Sequence, residues 1–412
     1  MNILLRKTAT GVATAALLAN AFAPLAFATV SVEVSGNGAS SSSVANVTVA
    51  NSTGVIQSNT ANIQNNVSVN ANSGGNTANY NTGGNVSVDT GSASSNVTVN
   101  NTANSNAASV SGCCPGNVEV KVAGNGAESD NDANVTVATD NSIVQNNEAN
   151  VVNNVESNLN TGGNKAKYNT GGDVSIETGN AKGVVDLSTK VNKNVAEISG
   201  DGSGTLAVWI SGNGAESDNE ANVTVVSSNL IQQANLADIL NDVEMWANSG
   251  DNSAKYNTGG EVSIDTGNAE ADVSVENMAN FNSADLESCG CEVSGTVKVK
   301  DNGYDSDNDA NVTLASMNWA LQANILECSE DDDACASVLV GSNTGDNKAK
   351  YNTQGGEPSI DTGNAGADVT VENTANQNVV GDVDMGGIEI PPFDFNGGSL
   401  SGLLVLLIGL FS

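Results

Sequence analysis

The chain has 412 residues, a net charge of −34, no histidine and only 3% aromatic residues. Such acidity excludes nucleic acid, whose recognition needs cations against phosphate, and an anionic membrane surface repels it for the same reason. Lack of histidine rules out Ser-His-Asp and Cys-His catalytic schemes, and the shortage of aromatics rules out a core of large rings.

The chain opens with Arg6 and Lys7, followed by an apolar run from about Val12 to Leu25 that closes on Ala26-Phe27-Ala28. A basic region, an apolar stretch and a small-x-small end make up a secretory signal peptide, so residues 1–28 are expected to be removed on export. Thr14, Asn20 and Pro24 interrupt the run, which is short for a membrane-spanning anchor.

Beyond it the sequence repeats. The string YNTGG begins at Tyr80, Tyr168 and Tyr256, and YNTQGG at Tyr351; a DTG or ETG string follows at Asp89, Glu177, Asp265 and Asp361. Gly/Asn-rich openings recur at Gly36, Gly124, Gly212 and Asp301. These marks define four modules of about 88 residues, 31–122, 123–210, 211–299 and 300–383, followed by a linker and apolar tail, 384–412. Repetition of this kind signals a solenoid, an array or tandem domains.

Within a module the hydrophobic period is two. Asn131, Ala133, Val135 and Val137 alternate with Asp130, Asp132, Asn134 and Thr136, and the same alternation runs through Val174 and Ile176 and through Val273, Val275, Asn277 and Ala279. Alternate residues of a strand point to opposite faces, so one face is small and apolar and the other acidic. By this rule Asn164, Ala166 and Tyr168 point inward, and Lys165 and Lys167 outward. The alternation argues against disorder, the usual state of polar low-complexity tracts. The expected fold is all-β: an elongated β-solenoid, with tandem β-sandwich domains as the alternative. The motif N-x-A recurs at Asn131, Asn147 and Asn164, which suggests small coils of 16 or 17 residues, four or five per module. Inward Asn side chains would then stack in amide ladders along the axis.

Several groups could carry chemistry. The strings Ser129–Asn134 and Asp305–Asn311 resemble D-x-D-x-N calcium loops, which makes Asp130, Asp132, Asp305, Asp307 and Asp309 candidate Ca²⁺ ligands. They lack the glycine of an EF-hand turn, and the same residues read equally as the solvent face of a strand. No other cofactor is expected. In an exported chain six cysteines suggest disulfides. Cys328 and Cys335 bracket the segment that lengthens the last repeat interval from 88 to 95 residues, and are expected to bond to each other. Cys113, Cys114, Cys289 and Cys291 fall at module ends; in a solenoid of small coils those ends would lie on the order of 30–50 Å apart at about 4.8 Å per coil, too far to share a zinc ion. The NVT sequons at Asn46, Asn134 and Asn222 fit glycosylation in a eukaryotic source or simply a strand with Val inward and Thr outward. After Pro391-Pro392 and Asn396-Gly397-Gly398, the apolar run Leu403–Phe411 is short for a span. It reads as a sorting tail, a GPI-like signal, a sticky assembly end or a cap, and as the only part suited to membrane contact.

The stretches GGNKAKYNTGG and IVQNNEANVVNN resemble curlin repeats, the subunits of bacterial curli fibres. Asn147 and Ala149 with Gln145, and Asn164 and Ala166 with Gly162 and Gly163, match part of the G-x-x-N-x-A core with its flanking Gln. The second flanking Gln is mostly absent and the strands here are more acidic and Val-rich. The resemblance implies a β-solenoid and self-assembly.

The function expected from these features is structural: a secreted or cell-surface repeat protein or fibre component. The alternative is an adhesin for polysaccharide or another cell, with calcium assistance. Tyr80, Tyr168, Tyr256 and Tyr351 alternate with inward residues in this reading, which leaves few rings for a sugar platform. Paired acids such as Glu216 and Asp218 are too common on exposed strand faces to argue for glycoside hydrolysis, and no enzymatic activity is expected.

Overall fold

A computed structural model of the protein describes residues 30–111, 116–199, 205–286, 294–328, 335–353 and 355–381. All regular structure there is β-strand, and every strand pairing is parallel. The signal-peptide and tail segments, and Cys113, Cys114, Cys289 and Cys291, lie outside the described residues.

Val/Thr/Asn alternation, with glycine at the turns, draws the chain into four sets of strands. Rung 1 holds β1 (Val30–Ser35), β2 (Ser42–Asn72), β3 (Thr77–Asn79), β4 (Val86–Asp89) and β5 (Ala93–Ser111). Rung 2 holds β6 (Val118–Ala123), β7 (Asp130–Asn160), β8 (Lys165–Lys167), β9 (Val174–Thr178) and β10 (Ala181–Ser199). Rung 3 holds β11 (Thr205–Ser211), β12 (Asp218–Asn248), β13 (Ser253–Lys255), β14 (Val262–Thr266) and β15 (Ala269–Asp285). Rung 4 holds β16 (Ser294–Lys300), β17 (Asp307–Cys328), β18 (Ala336–Asn343), β19 (Lys348–Lys350), β20 (Ser359–Thr362) and β21 (Ala365–Val380). Each strand pairs with its counterpart in the next rung, giving five sheets stacked in rung order.

The fold is thus the expected all-β parallel solenoid, but its coil is a whole module. Asn147 pairs with Asn59 and Asn235, 88 residues away on either side, not with Asn131 or Asn164, which lie along the same rung. The 16- and 17-residue steps are only positions of equal parity on a long extended path. β7 alone has 31 residues, about 100 Å of extended chain at roughly 3.3 Å per residue. Rungs 1 and 4 are separated by three strand spacings, about 14 Å. The described part of the molecule is therefore long within each rung and four rungs high. Ser111, at the end of β5, pairs directly with Ser199 of the next rung, so these described ends of successive modules lie one strand spacing apart.

Each rung doubles back on itself. The second half of β7 packs on β10, so Val155 and Leu159 meet Val185 and Leu187. Ala149 and Val151 meet Val191, and Ile143 meets Ala196 and Ile198. The first half of β7 packs on β6, bringing Val135 and Val137 against Val120 and Val122. β8 and β9 close the far end around Ala166, Val174 and Ile176. The core is a narrow seam of small aliphatics between two walls, as the composition requires. Turns stack as tightly: a Cβ on Gly162 would lie 2.0 Å from the carbonyl oxygen of Gly250 in the next rung, so only glycine fits.

The final rung is longer, and its loops absorb the difference. The rung 3 to rung 4 offset is 89 residues along β17, 95 along β19 and 96 along β21. Cys328 and Cys335 flank the largest insertion and are joined by a disulfide with Cα atoms 4.5 Å apart. Ile239 pairs with Cys328 and Asn241 with Ala336, so β12 stays in register on both sides of the loop.

Candidate functional surfaces

Amide ladders fill the seam between the aliphatic clusters. Asn59, Asn147, Asn235 and Asn324 form one column, each Nδ2 donating to the Oδ1 of the next at 2.9–3.0 Å. Asn106, Asn194, Asn282 and Asn378 form a parallel column on the opposite wall with the same direction. The columns are cross-linked: Asn106 Nδ2 donates to Asn147 Oδ1 at 3.0 Å, and Asn147 Nδ2 to Asn194 Oδ1 at 2.9 Å. Gln57, Gln145, Gln233 and Gln322 make a further column whose Nε2 atoms also donate to carbonyls of the facing wall. A buried amide without partners costs several kcal/mol; here stacking meets the need.

One asparagine per rung adjusts the strand. Asn104, Asn192, Asn280 and Asn376 have φ of 57–62° within β5, β10, β15 and β21, a left-handed conformation that Asn tolerates better than most residues. Each of these kinks shifts the alternation by one residue, so Val191, Asn192 and Asn194 are all buried while Lys193 is only half-buried.

The outer surface carries columns of another kind. Asn164 and Ala166 are buried as the alternation requires, and Lys165 is exposed. Tyr168 departs from the expectation: its φ of 57° turns the ring out of the wall. Tyr80, Tyr168, Tyr256 and Tyr351 stack with centroids 5.0 Å apart and planes within 7°. The inner rings are 46% and 44% exposed and the end rings 73% and 68%, because each inner ring is covered on both faces by its neighbours. Alternation alone could not reveal this; the clue was YN-T-GG, a turn sequence where a positive φ is frequent.

Beside the tyrosines stand lysines. Lys167, Lys255 and Lys350 occupy one register position on successive strands, and Lys165 and Lys348 another, with Ser253 between them. Partial desolvation, then the charges of Lys167, Lys348 and Lys350, hold the Lys255 ammonium below its usual pKa.

The carboxylates proposed for calcium also form columns. Asp130, Asp218 and Asp307 share one register position, and Asp132, Glu220 and Asp309 the next on the same side. Glu128, Glu216 and Asp305 occupy the preceding turn, each with positive φ. Asp132 is raised above the ordinary carboxylate range by desolvation and then by Asp130, Glu220 and Asp218; Asp218 is raised by desolvation and then by Asp307 and Asp130. Glu216 and Asp218 are therefore members of these rows rather than an isolated pair. Among the described residues no three acidic or cysteine side chains converge as a metal-binding group.

The sequon asparagines Asn46, Asn134, Asn222 and Asn311 make an outer amide ladder at 3.0 Å, with Val135 buried and Thr136 exposed. Among the described residues no helix is long and apolar enough to cross a membrane.

The two ends of the stack differ. Val273 and Val275 in rung 3 are 3% and 1% exposed, and their rung 1 counterparts Val97 and Val99 are 6% and 5%, yet Val369 and Val371 in rung 4 are 49% and 42% exposed. Val297, Val299 and Ile360 repeat the pattern against Val32, Val34 and Val88. Rung 1 is open along its long wall as well, where Val47, Val55, Ile63 and Val67 of β2 are only half-buried and Val49 is 38% exposed, whereas rung 4 is open along β16, β17, β20 and β21 alike.

No family model, no curated protein and no solved structure matches this chain.

Proposed function

We propose that the protein is an exported, non-enzymatic structural subunit of the cell surface or an extracellular fibre, assembled by stacking rung 4 of one copy on rung 1 of the next. The observation that carries this reading is the apolar edge of rung 4, whose inward residues lie half-exposed where their counterparts in rungs 2 and 3 are buried, facing a rung 1 whose long wall β2 is half-open too. Among the described residues both terminal rungs also leave long strand edges unpaired, which natural proteins ordinarily blunt because such edges recruit further strands. The inner Asn columns run in one direction, from Asn59 Oδ1 at rung 1 to the Nδ2 side of Asn324 and Asn378 at rung 4, so a second copy would continue them. The interface between rungs 3 and 4 accommodates the longer final rung, which supports docking of a shorter rung on its far side. A head-to-tail contact of this kind does not close on itself and yields filaments. The curlin resemblance and the signal peptide agree with it, and Gln145 and Asn147, which carry the resemblance, both sit in ladders.

The test is electron microscopy and sedimentation of the mature chain, alongside Val369→Asp with Val371→Asp. Wild-type rods that shorten to dispersed particles in the variant, with the β circular dichroism retained, are expected; a wild-type chain that stays monomeric at all concentrations refutes the stacking. A second reading, an adhesin for polysaccharide, is favoured by the exposed tyrosine and lysine columns. Within the tyrosine column only Tyr80 and Tyr351 have a ring face not covered by a neighbouring tyrosine, so glycan binding there would be lost with those two rings.

A further inference from the structure

The lysine and carboxylate columns stand at opposite ends of a rung's long wall. β7 begins at Asp130, with Glu128 in the turn before it, and ends at Asn160, five residues before Lys165. The lysines occupy rungs 2, 3 and 4; the corresponding rung 1 residues are Thr77 and Asn79. The carboxylates also occupy rungs 2, 3 and 4; there rung 1 has Ser42 and Val44. Both sets follow the strand spacing, about 4.8 Å, and both skip the same rung.

Each column is costly alone, since like charges directly opposite on neighbouring strands repel. Among the described residues, the ion pairs formed are Lys121 with Glu33, Lys182 with Glu270, Lys190 with Glu276 and Lys300 with Asp301. None involves Lys165, Lys167, Lys255, Lys348 or Lys350, although acids outnumber bases 47 to 13 in the chain. Five lysines gathered without an acid in ion-pair contact call for an anionic partner built on the same pitch.

We infer that copies of this chain bind side by side, the lysine columns of one copy meeting the carboxylate columns at the far end of its neighbour. The partner is a second copy, because its carboxylate rows have the pitch of the lysine rows and begin at the same rung. Rung 2 meets rung 2, and rungs 3 and 4 follow with no axial shift. Neighbours then point the same way, and the rods are drawn into flat rafts. This rests on the structural-subunit reading, but uses the ends of the rungs rather than the top and bottom of the stack.

The experiment uses the mature chain with two charge-reversed variants, one carrying Lys165→Glu, Lys167→Glu, Lys255→Glu, Lys348→Glu and Lys350→Glu, the other Asp130→Lys, Asp132→Lys, Asp218→Lys, Glu220→Lys, Asp307→Lys and Asp309→Lys. Circular dichroism checks that each folds, and electron microscopy with light scattering reads rafts and rods at low salt and at about 0.5 M NaCl, where charges are screened within a few ångströms. Wild-type rafts at low salt that dissolve on screening are expected. Each variant alone should lose them, and an equimolar mixture of the two should regain them, since reversed ends are again complementary. Rafts that survive both reversals or high salt overturn the inference. So does their absence from the wild type, their formation only with added Ca²⁺, or a lysine end that binds a soluble polyanion such as polyglutamate while no rafts form. Rods without rafts would defeat only this inference; rafts of single stacks without rods would defeat only end-to-end stacking.

Discussion

Replacement of Asn147 by alanine probes the ladder that holds the two walls together. Asn147 Nδ2 donates to Asn235 Oδ1, Asn194 Oδ1 and the Lys193 carbonyl, and its Oδ1 accepts from Asn59 and Asn106. All five contacts vanish in the variant. The damage is limited because the neighbours keep other partners: Asn59 Nδ2 still donates to Asn106 Oδ1, Asn106 Nδ2 to Asn194 Oδ1, and Asn194 Nδ2 to Asn235 Oδ1. At about 0.5–1.5 kcal/mol net per hydrogen bond, and with this discount, the loss comes to about 3–5 kcal/mol. Asn134→Ala is the control. It removes two amide contacts of the outer ladder, to Asn46 and Asn222, where water replaces them at a cost within about 1 kcal/mol. Guanidinium unfolding followed by far-ultraviolet circular dichroism, with unchanged slope, measures both. If Asn134→Ala lowers the midpoint as much as Asn147→Ala, the inner ladder is not what joins the walls.

Ala166→Leu should overpack the closed end between β8 and β9, where Ala166 is fully buried, and cost roughly 1–3 kcal/mol; Lys165→Glu at an exposed neighbouring position should stay within about 0.5 kcal/mol, as denaturation midpoints will show. Asp132 and Asp218 have folded pKa values raised above their unfolded ones. Partial desolvation and the neighbouring carboxylates therefore penalise their charged forms at neutral pH, and that penalty is relieved as pH falls through the raised folded values and is gone below the ordinary carboxylate range. Midpoints measured from pH 7 downward should accordingly rise less in an Asp132→Asn, Asp218→Asn variant than in the wild type. Non-reducing digestion and mass spectrometry should recover the peptides of Cys328 and Cys335 as one linked species.

The strand faces were legible because period-two alternation depends on nothing beyond the chain's own pleat: Asn131, Ala133, Val135, Val174, Ile176 and Val273 all lie inside. Tyr168 was misplaced because one left-handed residue reverses the rule, and a backbone flip leaves little mark in composition. The inward amides were foreseen as ladders, but their cross-links between β7 and β10 were not, since they depend on which parts of a rung face each other. The open edge of rung 4 could not be read from strand pattern, because Val369 and Val371 have the same spacing as Val273 and Val275; what separates them is that β21 has a paired neighbour on one side only, among the described residues.

Coil size is the one point where two periodicities in the same sequence competed, and it yields a decisive deletion. N-x-A recurs at 16 and 17 residues, but whole-sequence similarity recurs at 88, and only residues 88 apart pair across the rungs. Removing residues 123–210 joins Val122 to Ser211, and since Val122 is the rung partner of Ile210, the chain re-enters the next rung in phase. Strand pairings, inner columns and turn stacking would close over the gap. In a stacked-repeat protein, stability is roughly a sum over rungs and their interfaces, so this three-rung chain should fold, unfold cooperatively and be less stable than its parent. Removing residues 132–147, one supposed small coil, deletes half of β7 instead. Neighbouring β2 and β12 would then face a strand too short to pair with them, and Val155 and Leu159 could not reach Val185 and Leu187 without breaking register with Val67 and Val243. The shorter deletion should therefore be the more damaging, giving aggregated or unfolded protein by circular dichroism and size exclusion. If the 16-residue deletion is silent and the 88-residue deletion unfolds the chain, the rung is not the unit of this fold.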